Sequence, residues 1–156
     1  MIATESARIV DLQDPTSKMS KSSPPGCLFL LDEDTVTTKK IKSAVTDSEA
    51  VVEFDPDRKP GVSNLLSIQQ ALRGVPAHQV AEEFTGRGYG DLKVATAELV
   101  VDALGPIRDA TRQYLSDRAE LQRTIEDGAA KARQTAATTL ARVYQSIGFV
   151  SGTSAS

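Results

Sequence analysis

From residue 32 to residue 147, apolar side chains recur at steps of three and four, and most runs close on glycine or proline. Such a pattern is satisfied by packed helices and by little else, because each element must bury one stripe against a neighbour. Asp32, Glu33 and Asp34 ahead of Lys39, Lys40 and Lys42 match the charge order that a helix dipole favours. A second helix is expected over 62–72, with Leu65, Leu66, Ile68 and Leu72 on one face and Gly74 as its stop. A third is expected over 77–84, closed by Gly86, and a fourth from Asp91, carrying Val94, Ala97, Val101 and Leu104 inward. Gly105-Pro106 is expected to kink or interrupt the fourth. Asp117 and Glu120 have the spacing of a capping box for a helix through Ile125. A last helix over 129–147 places Ala132, Ala136, Leu140, Val143 and Ile147 on a buried stripe, with Gly148 at its end.

Residues 1–31 are patterned differently. Residues 7–12 read as a short strand and Asp14-Pro15-Thr16 as a turn. Ser23-Pro24-Pro25-Gly26 excludes a continuous helix. Cys27 to Leu31 reads as a buried strand or an extended segment. The acidic stretch from Ala50 to Pro60 is expected to be extended, and Lys59-Pro60-Gly61 to form a tight turn with Gly61 at positive φ. Ser63 and Asn64 offer caps for the helix that follows. Phe84, Tyr114 and Tyr144 are read as core residues.

Charge and cysteine content remove several function classes. Across the 156 residues, 18 Lys and Arg stand against 21 Asp and Glu, a net −3. No global basic field draws the chain to nucleic acid. Cys27 is alone, so an intrachain disulfide and a cysteine-based zinc cluster are both excluded, which fits a reducing cytoplasm. The only histidine, His78, reads as a helix-surface residue. The longest apolar run, Cys27 to Leu31, is far too short to span a bilayer, and the expected setting is cytoplasmic, with no membrane partner.

Chemistry concentrates in Lys18-Met19-Ser20-Lys21-Ser22. Two ammonium groups three residues apart, interleaved with hydroxyls on a non-regular loop, suit a polyphosphate. They are point charges that can follow negative charge as a pyrophosphate leaves. Ser20 and Ser22 add hydroxyl and backbone N–H donors. By residue type alone, however, such a loop is usually only solvated.

The pentapeptide is identical to the Lys-Met-Ser-Lys-Ser motif of class I aminoacyl-tRNA synthetases. Its surroundings narrow the match: Asp11-Leu12-Gln13-Asp14-Pro15-Thr16 before it, Lys42 to Ser48 after it, and then Lys59-Pro60-Gly61-Val62-Ser63-Asn64-Leu65-Leu66. With Gly88-Tyr89-Gly90-Asp91-Leu92-Lys93 and Gly128 to Arg133, residues 7–149 resemble the C-terminal half of bacterial tryptophanyl-tRNA synthetases.

The resemblance implies a mainly α chain in which residues 1–31 are the last strand and loop of a Rossmann-like catalytic domain. Residues 32–150 would be a helical bundle of the anticodon-binding type, and 151–156 a flexible tail. It implies that Lys18 and Lys21 contact the phosphates of ATP and act in catalysis, with Met19, Ser20 and Ser22 completing the nucleotide-binding loop. It implies Mg²⁺ accompanying ATP, tryptophan as the second substrate and the tryptophan tRNA as acceptor. The family's N-terminal half, with its His-x-Gly-His motif and tryptophan pocket, is not in this sequence, so the chain alone is expected to be inactive. Without that half, residues 7–31 are expected to expose apolar surface, and a homo-oligomer is one way to cover it. A second departure is Ser23-Pro24-Pro25, where many relatives carry an acid directly after the motif. The alternatives to a partial ligase are one half of a split synthetase, or a non-catalytic module that binds RNA or protein.

Overall fold

The computed structural model describes residues 9–149. The chain is mainly helical, and among the described residues there is no strand, only a single antiparallel bridge between Val10 and Lys18. Five α-helices follow in order: α1 (Asp34–Lys42), α2 (Pro60–Arg73), α3 (Ala77–Glu82), α4 (Tyr89–Ser116) and α5 (Arg118–Ile147). The residues form two compact units, the first running through Asp109 and the second beginning at Ala110.

The first unit is built around α2. Val62, Leu65 and Leu66 have no exposed surface, and Ile41 of α1, Val80 of α3 and Leu92 of α4 join them in the core. Each of these side chains stabilises the fold by about 1.5–3 kcal/mol through loss of apolar surface from water. Gly74 ends α2 in the left-handed conformation (φ 67°), its N–H returning to Gln70 O. The Gln70 side chain then accepts from Ala77 N at 2.9 Å and so starts α3. A two-pronged ion pair from Arg73 to Glu83, at 2.6 and 3.0 Å, ties the end of α2 to the residue that closes α3.

The segment before α1 packs onto this same core. Leu12 and Cys27 are buried, and Ile9, Met19 and Leu28 pack against the helices, so most of its apolar surface is covered rather than exposed. Among its described residues there is nonetheless no strand. Beyond the bridge at Val10 (Ala7 and Arg8 lie outside the described residues), the Cys27–Leu31 stretch is extended and then turns, with Leu30 and Leu31 at the surface. Its backbone groups are taken by side chains instead of a neighbouring strand. Lys40 Nζ donates to Cys27 O at 2.8 Å, and Phe29 N donates to Asp32 at 3.2 Å. Lys40 also pairs with Asp32 at 2.7 Å and lies over the Phe29 ring, so it is not free to meet an outside phosphate.

Two helices run further than periodicity predicts. Pro106 lies inside α4 without interrupting it. Arg108, two residues on and 5% exposed, donates to Asp32 O at 2.7 Å and pairs with Asp34, which holds that turn of α4 against the start of α1. In the second unit, α5 passes through Gly128 and joins what were expected to be two helices. Its cap matches the expectation in part: Asp117 accepts from Glu120 N at 3.0 Å, while the Glu120 side chain turns to Arg123. Gly148 closes α5 at φ 73°.

The expected buried stripe of α5 is not buried. Leu140, Val143 and Ile147 are each about half exposed, and α5 has no buried residue at all. Helical periodicity reports that a face wants covering; it does not say that the cover is present. Of the three aromatics expected in the core, only Phe84 is buried, since Tyr114 is exposed and Tyr144 meets Phe149 edge-on at 5.9 Å.

Gly61 corrects a further expectation. It sits in the first turn of α2 and is not among the positive-φ glycines. It is there because the backbone approaches closely: a Cβ at this position would lie 2.1 Å from Val45 O. Gly61→Ala is therefore expected to cost about 1–3 kcal/mol, since the atom in the way is backbone and cannot swing aside. Urea denaturation of the two proteins measures it, and Gly105→Ala, with only the tip of Arg108 near at 3.9 Å, serves as the control.

Candidate nucleotide-binding loop

The lysine-bearing segment starts from a short ribbon. Asp11 N donates to Ser17 O at 2.9 Å and Met19 N to Ile9 O at 3.4 Å, which sets Val10 opposite Lys18. Between them the chain turns on Asp14, whose carboxylate accepts from the Thr16 and Ser17 hydroxyls at 2.6 and 2.7 Å. Those two hydroxyls, then the Thr16 N–H, hold the Asp14 carboxyl below its ordinary pKa. At the far end, Ser23 N returns to Ser20 O, and Pro24–Gly26 form one 3₁₀ turn. The loop leaves through Gly26, whose carbonyl accepts from Leu12 N at 3.0 Å. Asp11, 3% exposed, fills the space where a Cβ on Gly26 would stand.

Met19 is the anchor of the pentapeptide. It packs against the helical core, whereas Lys18, Lys21 and Ser22 are exposed and Ser20 is half-buried. Neither Lys18 nor Lys21 has an ion-pair partner among the described residues. An apolar residue holding the centre of a loop leaves its flanking ammonium groups in solvent, charged and uncommitted. That arrangement can bind a polyanion without first breaking an internal contact. No three His, Cys, Asp or Glu come together to hold a metal among the described residues.

The blocks downstream of the loop meet at one place. Lys59, 2% exposed, precedes α2 and reaches Glu49 at 2.5 Å, Asp47 at 3.5 Å and the Tyr89 hydroxyl at 3.3 Å. Tyr89 in turn donates to Asp47 at 2.5 Å. The hydrogen bond to Glu49 raises the Lys59 pKa above its ordinary value, against the effect of burial. Burial alone would raise Asp47, but Tyr89, the Glu49 N–H and Lys59 together bring it below the ordinary value. Tyr89 is raised by burial and by Asp47. Three segments far apart in the chain, 42–48, 59–66 and 88–93, are thus knotted by one buried lysine.

Two buried polar residues of α2 do not play the part expected of them. Ser63 and Asn64 are not caps, because α2 starts at Pro60 and both lie inside it. Ser63 accepts from Asp55 N at 2.9 Å, and Asn64 reaches Val10. Nothing local marks them: with Ser67 they lie on the polar side of α2, away from the stripe of Val62, Leu65 and Leu66. Lys93 is half-buried, and burial lowers its pKa.

The sign of the pH dependence follows from these groups. Asp14, Asp47 and Glu83, the last lowered chiefly by Arg73, have folded pKa values below their unfolded ones. Their contribution is present above the unfolded value of about 4 and is lost as pH falls through the folded ones. Lys59 is raised, so its contribution is complete below its unfolded value of about 10.4 and is lost as pH rises further. Urea midpoints are expected to be flat between about pH 5 and 9 and to fall on both sides. A midpoint that rises on acidification through pH 4 would contradict these assignments.

The family model described as tRNA synthetases class I (W and Y) matches residues 2–105. A tryptophan–tRNA ligase of Leifsonia xyli subsp. xyli is 52% identical over 155 residues, which is 98% of this chain and 46% of the relative. One from Mycobacterium leprae is 48% identical over 146 residues, covering 92% of this chain and 43% of the relative. Among solved structures, the tryptophanyl-tRNA synthetase of Mycoplasma pneumoniae superposes with a TM-score of 0.82 at 35% identity, covering 96% of this chain and 48% of that one. A Campylobacter jejuni tryptophanyl-tRNA synthetase complexed with ADP and tryptophan gives 0.66 at 26% identity, covering 92% and 44%. The chain therefore spans less than half the length of the relatives it matches.

Proposed function

The chain belongs to the class I tRNA synthetases of the tryptophan and tyrosine type, and from that premise we propose that it is the C-terminal portion of a tryptophan–tRNA ligase. The observation that carries this reading is the lysine loop: two exposed ammonium groups without ion-pair partners among the described residues, flanking a methionine packed into the core. Identity of about half to tryptophan–tRNA ligases supports tryptophan, rather than tyrosine, as the amino acid in this reading.

In this reading, Lys18 and Lys21 bind the β- and γ-phosphates of ATP, which arrives with Mg²⁺. A tryptophan carboxylate oxygen attacks the α-phosphorus, and the bond from that phosphorus to the bridging oxygen breaks. Tryptophanyl-AMP forms and pyrophosphate leaves with the electron pair. The lysines stabilise the charge gathering on the leaving group. Ser20 and Ser22 supply donors to phosphate oxygens, and Met19 keeps the loop seated while its flanks move. The tryptophanyl group then passes to the tryptophan tRNA. The helices after Asp32 serve as the anticodon-side domain, and residues up to 31 as the edge of the catalytic domain. The remaining part of the ligase provides the nucleotide fold and the tryptophan pocket. No described helix is long and apolar enough to cross a membrane, and a cytoplasmic setting fits the reading.

The test is transfer to RNA. This chain, fused to the part of the Leifsonia xyli ligase that its match leaves out, is expected to charge the tryptophan tRNA. The same fusion is expected to leave a tyrosine tRNA uncharged. A folded fusion that charges neither tRNA would overturn the proposal.

A further inference from the structure

We infer that Asn64 is a positioning residue for the lysine loop, holding it from α2 through the backbone of Val10. This inference rests on the reading of Lys18 and Lys21 as the ATP-phosphate clamp. Asn64 is 5% exposed and lies inside α2, where an apolar residue would otherwise be expected. Its carboxamide meets both polar groups of one residue: Val10 N donates to Oδ1 at 2.9 Å, and Nδ2 donates to Val10 O at 3.0 Å. Val10 is the residue bridged to Lys18. Only the width of one two-stranded ribbon therefore separates the carboxamide from the first ammonium-bearing residue.

No hydrophobic side chain can do this. A carboxamide presents an acceptor and a donor side by side, and that pair matches the N–H and C=O of a single extended residue. Both partners lie in a partly buried region where an unpaired N–H or C=O is costly, so the ribbon has one favoured place on the helix. Neighbouring contacts act in the same sense. Val45 N, just after α1, donates to Leu12 O at 2.8 Å, and Gln13 Nε2 donates to Ser43 O at 3.1 Å. The ribbon is thus pinned to α2 and to the segment just after α1, while the loop beyond Lys18 is held, among the described residues, by Met19, by its own turns and by Leu12 N on Gly26 O. A clamp whose value is realised as pyrophosphate departs gains from being aimed beforehand, since a displacement of about 1 Å in such a group costs on the order of a hundredfold in rate.

Two variants and two measurements test this. In the fused ligase, Asn64→Ala is expected to lower kcat for tryptophan-dependent pyrophosphate exchange about tenfold to a hundredfold, with the KM for tryptophan unchanged. Asn64→Asp, which can still accept from Val10 N, should fall between Ala and the unaltered protein. In the chain alone, Asn64→Ala should speed amide hydrogen exchange over 10–22 at least about tenfold, while the middle of α2 and α4 changes little. The inference is overturned by an unchanged kcat per folded molecule, or by amides of α2 opening as much as those of the loop. If the unaltered fusion shows no exchange, the ligase reading is what fails, and the amide measurement still decides whether Asn64 holds the loop.

Discussion

Lys18→Ala and Lys21→Ala, each placed in the fused ligase, are expected to reduce tryptophan-dependent pyrophosphate exchange by about 10²–10³-fold, with the folded state untouched. The size follows from the role: a preorganised charge aimed at a departing pyrophosphate acts mainly in the transition state, so most of the loss falls on kcat rather than KM. The harmlessness to folding follows from the structure. Both side chains are exposed and neither has an ion-pair partner among the described residues, so truncation leaves no buried partner behind. Circular dichroism and urea midpoints matching the unaltered protein, beside the lost exchange, check both halves of the prediction. The double variant should lose less than the product of the two single losses, because both groups act on one leaving group.

The opposite behaviour is expected at Lys59. Lys59→Ala should lower the stability of the first unit by roughly five times as much as Arg123→Ala, compared by urea denaturation. Arg123 pairs with Glu120 on an exposed helix face, where both side chains are solvated. Lys59 is 2% exposed and holds Glu49, Asp47 and Tyr89 together. Its removal strands a partly buried carboxylate and a tyrosine hydroxyl with no cation between them. Lys59→Met, which restores the aliphatic length but not the charge, should recover part of the loss through packing. The remainder measures the ammonium group itself. A Lys59→Ala loss no larger than that of Arg123→Ala would mean that the knot contributes nothing.

The contrast between these lysines also marks what could be read from the chain. Gly74 and Gly148 as helix stops, Asp117 as a cap and Leu65-Leu66 as core were legible, because each depends on neighbours within a few residues. The solvated position of Lys18 and Lys21 was legible from the loop's prolines, glycine and hydroxyls. Lys59 was not, since its three partners lie 10, 12 and 30 residues away and nothing local distinguishes it from a surface lysine. Gly61 was assigned the wrong reason for the same cause: the atom that excludes a Cβ belongs to Val45. Asn64 looked like a cap because capping is the local use of asparagine, and its real partner is 54 residues away.

The α5 stripe shows the converse limit. Ala132, Ala136, Leu140, Val143 and Ile147 follow helical spacing faithfully, yet all of them are exposed. Amphipathic periodicity records the demand for a partner surface and is silent on where it comes from. Gly105-Pro106 was expected to kink or interrupt a helix, and separate helices were expected up to Ile125 and from Ala129; Pro106 and Gly128 each cost propensity without ending a helix. Two residues past Pro106, Arg108 ties α4 to Asp32 and Asp34, contacts that span 74 to 76 residues and leave no local trace in the sequence.

In the proposed reading, this chain brings the ATP-phosphate loop to a tryptophan–tRNA ligase. That role is tested most directly by exchange of labelled pyrophosphate into ATP, measured on the chain fused to the part of the Leifsonia xyli ligase that the match leaves out. Exchange is expected to require tryptophan, to fail with tyrosine, and to be lost in the Lys18→Ala, Lys21→Ala double variant. Exchange that survives the double variant undiminished would contradict it, as would a folded fusion that exchanges nothing.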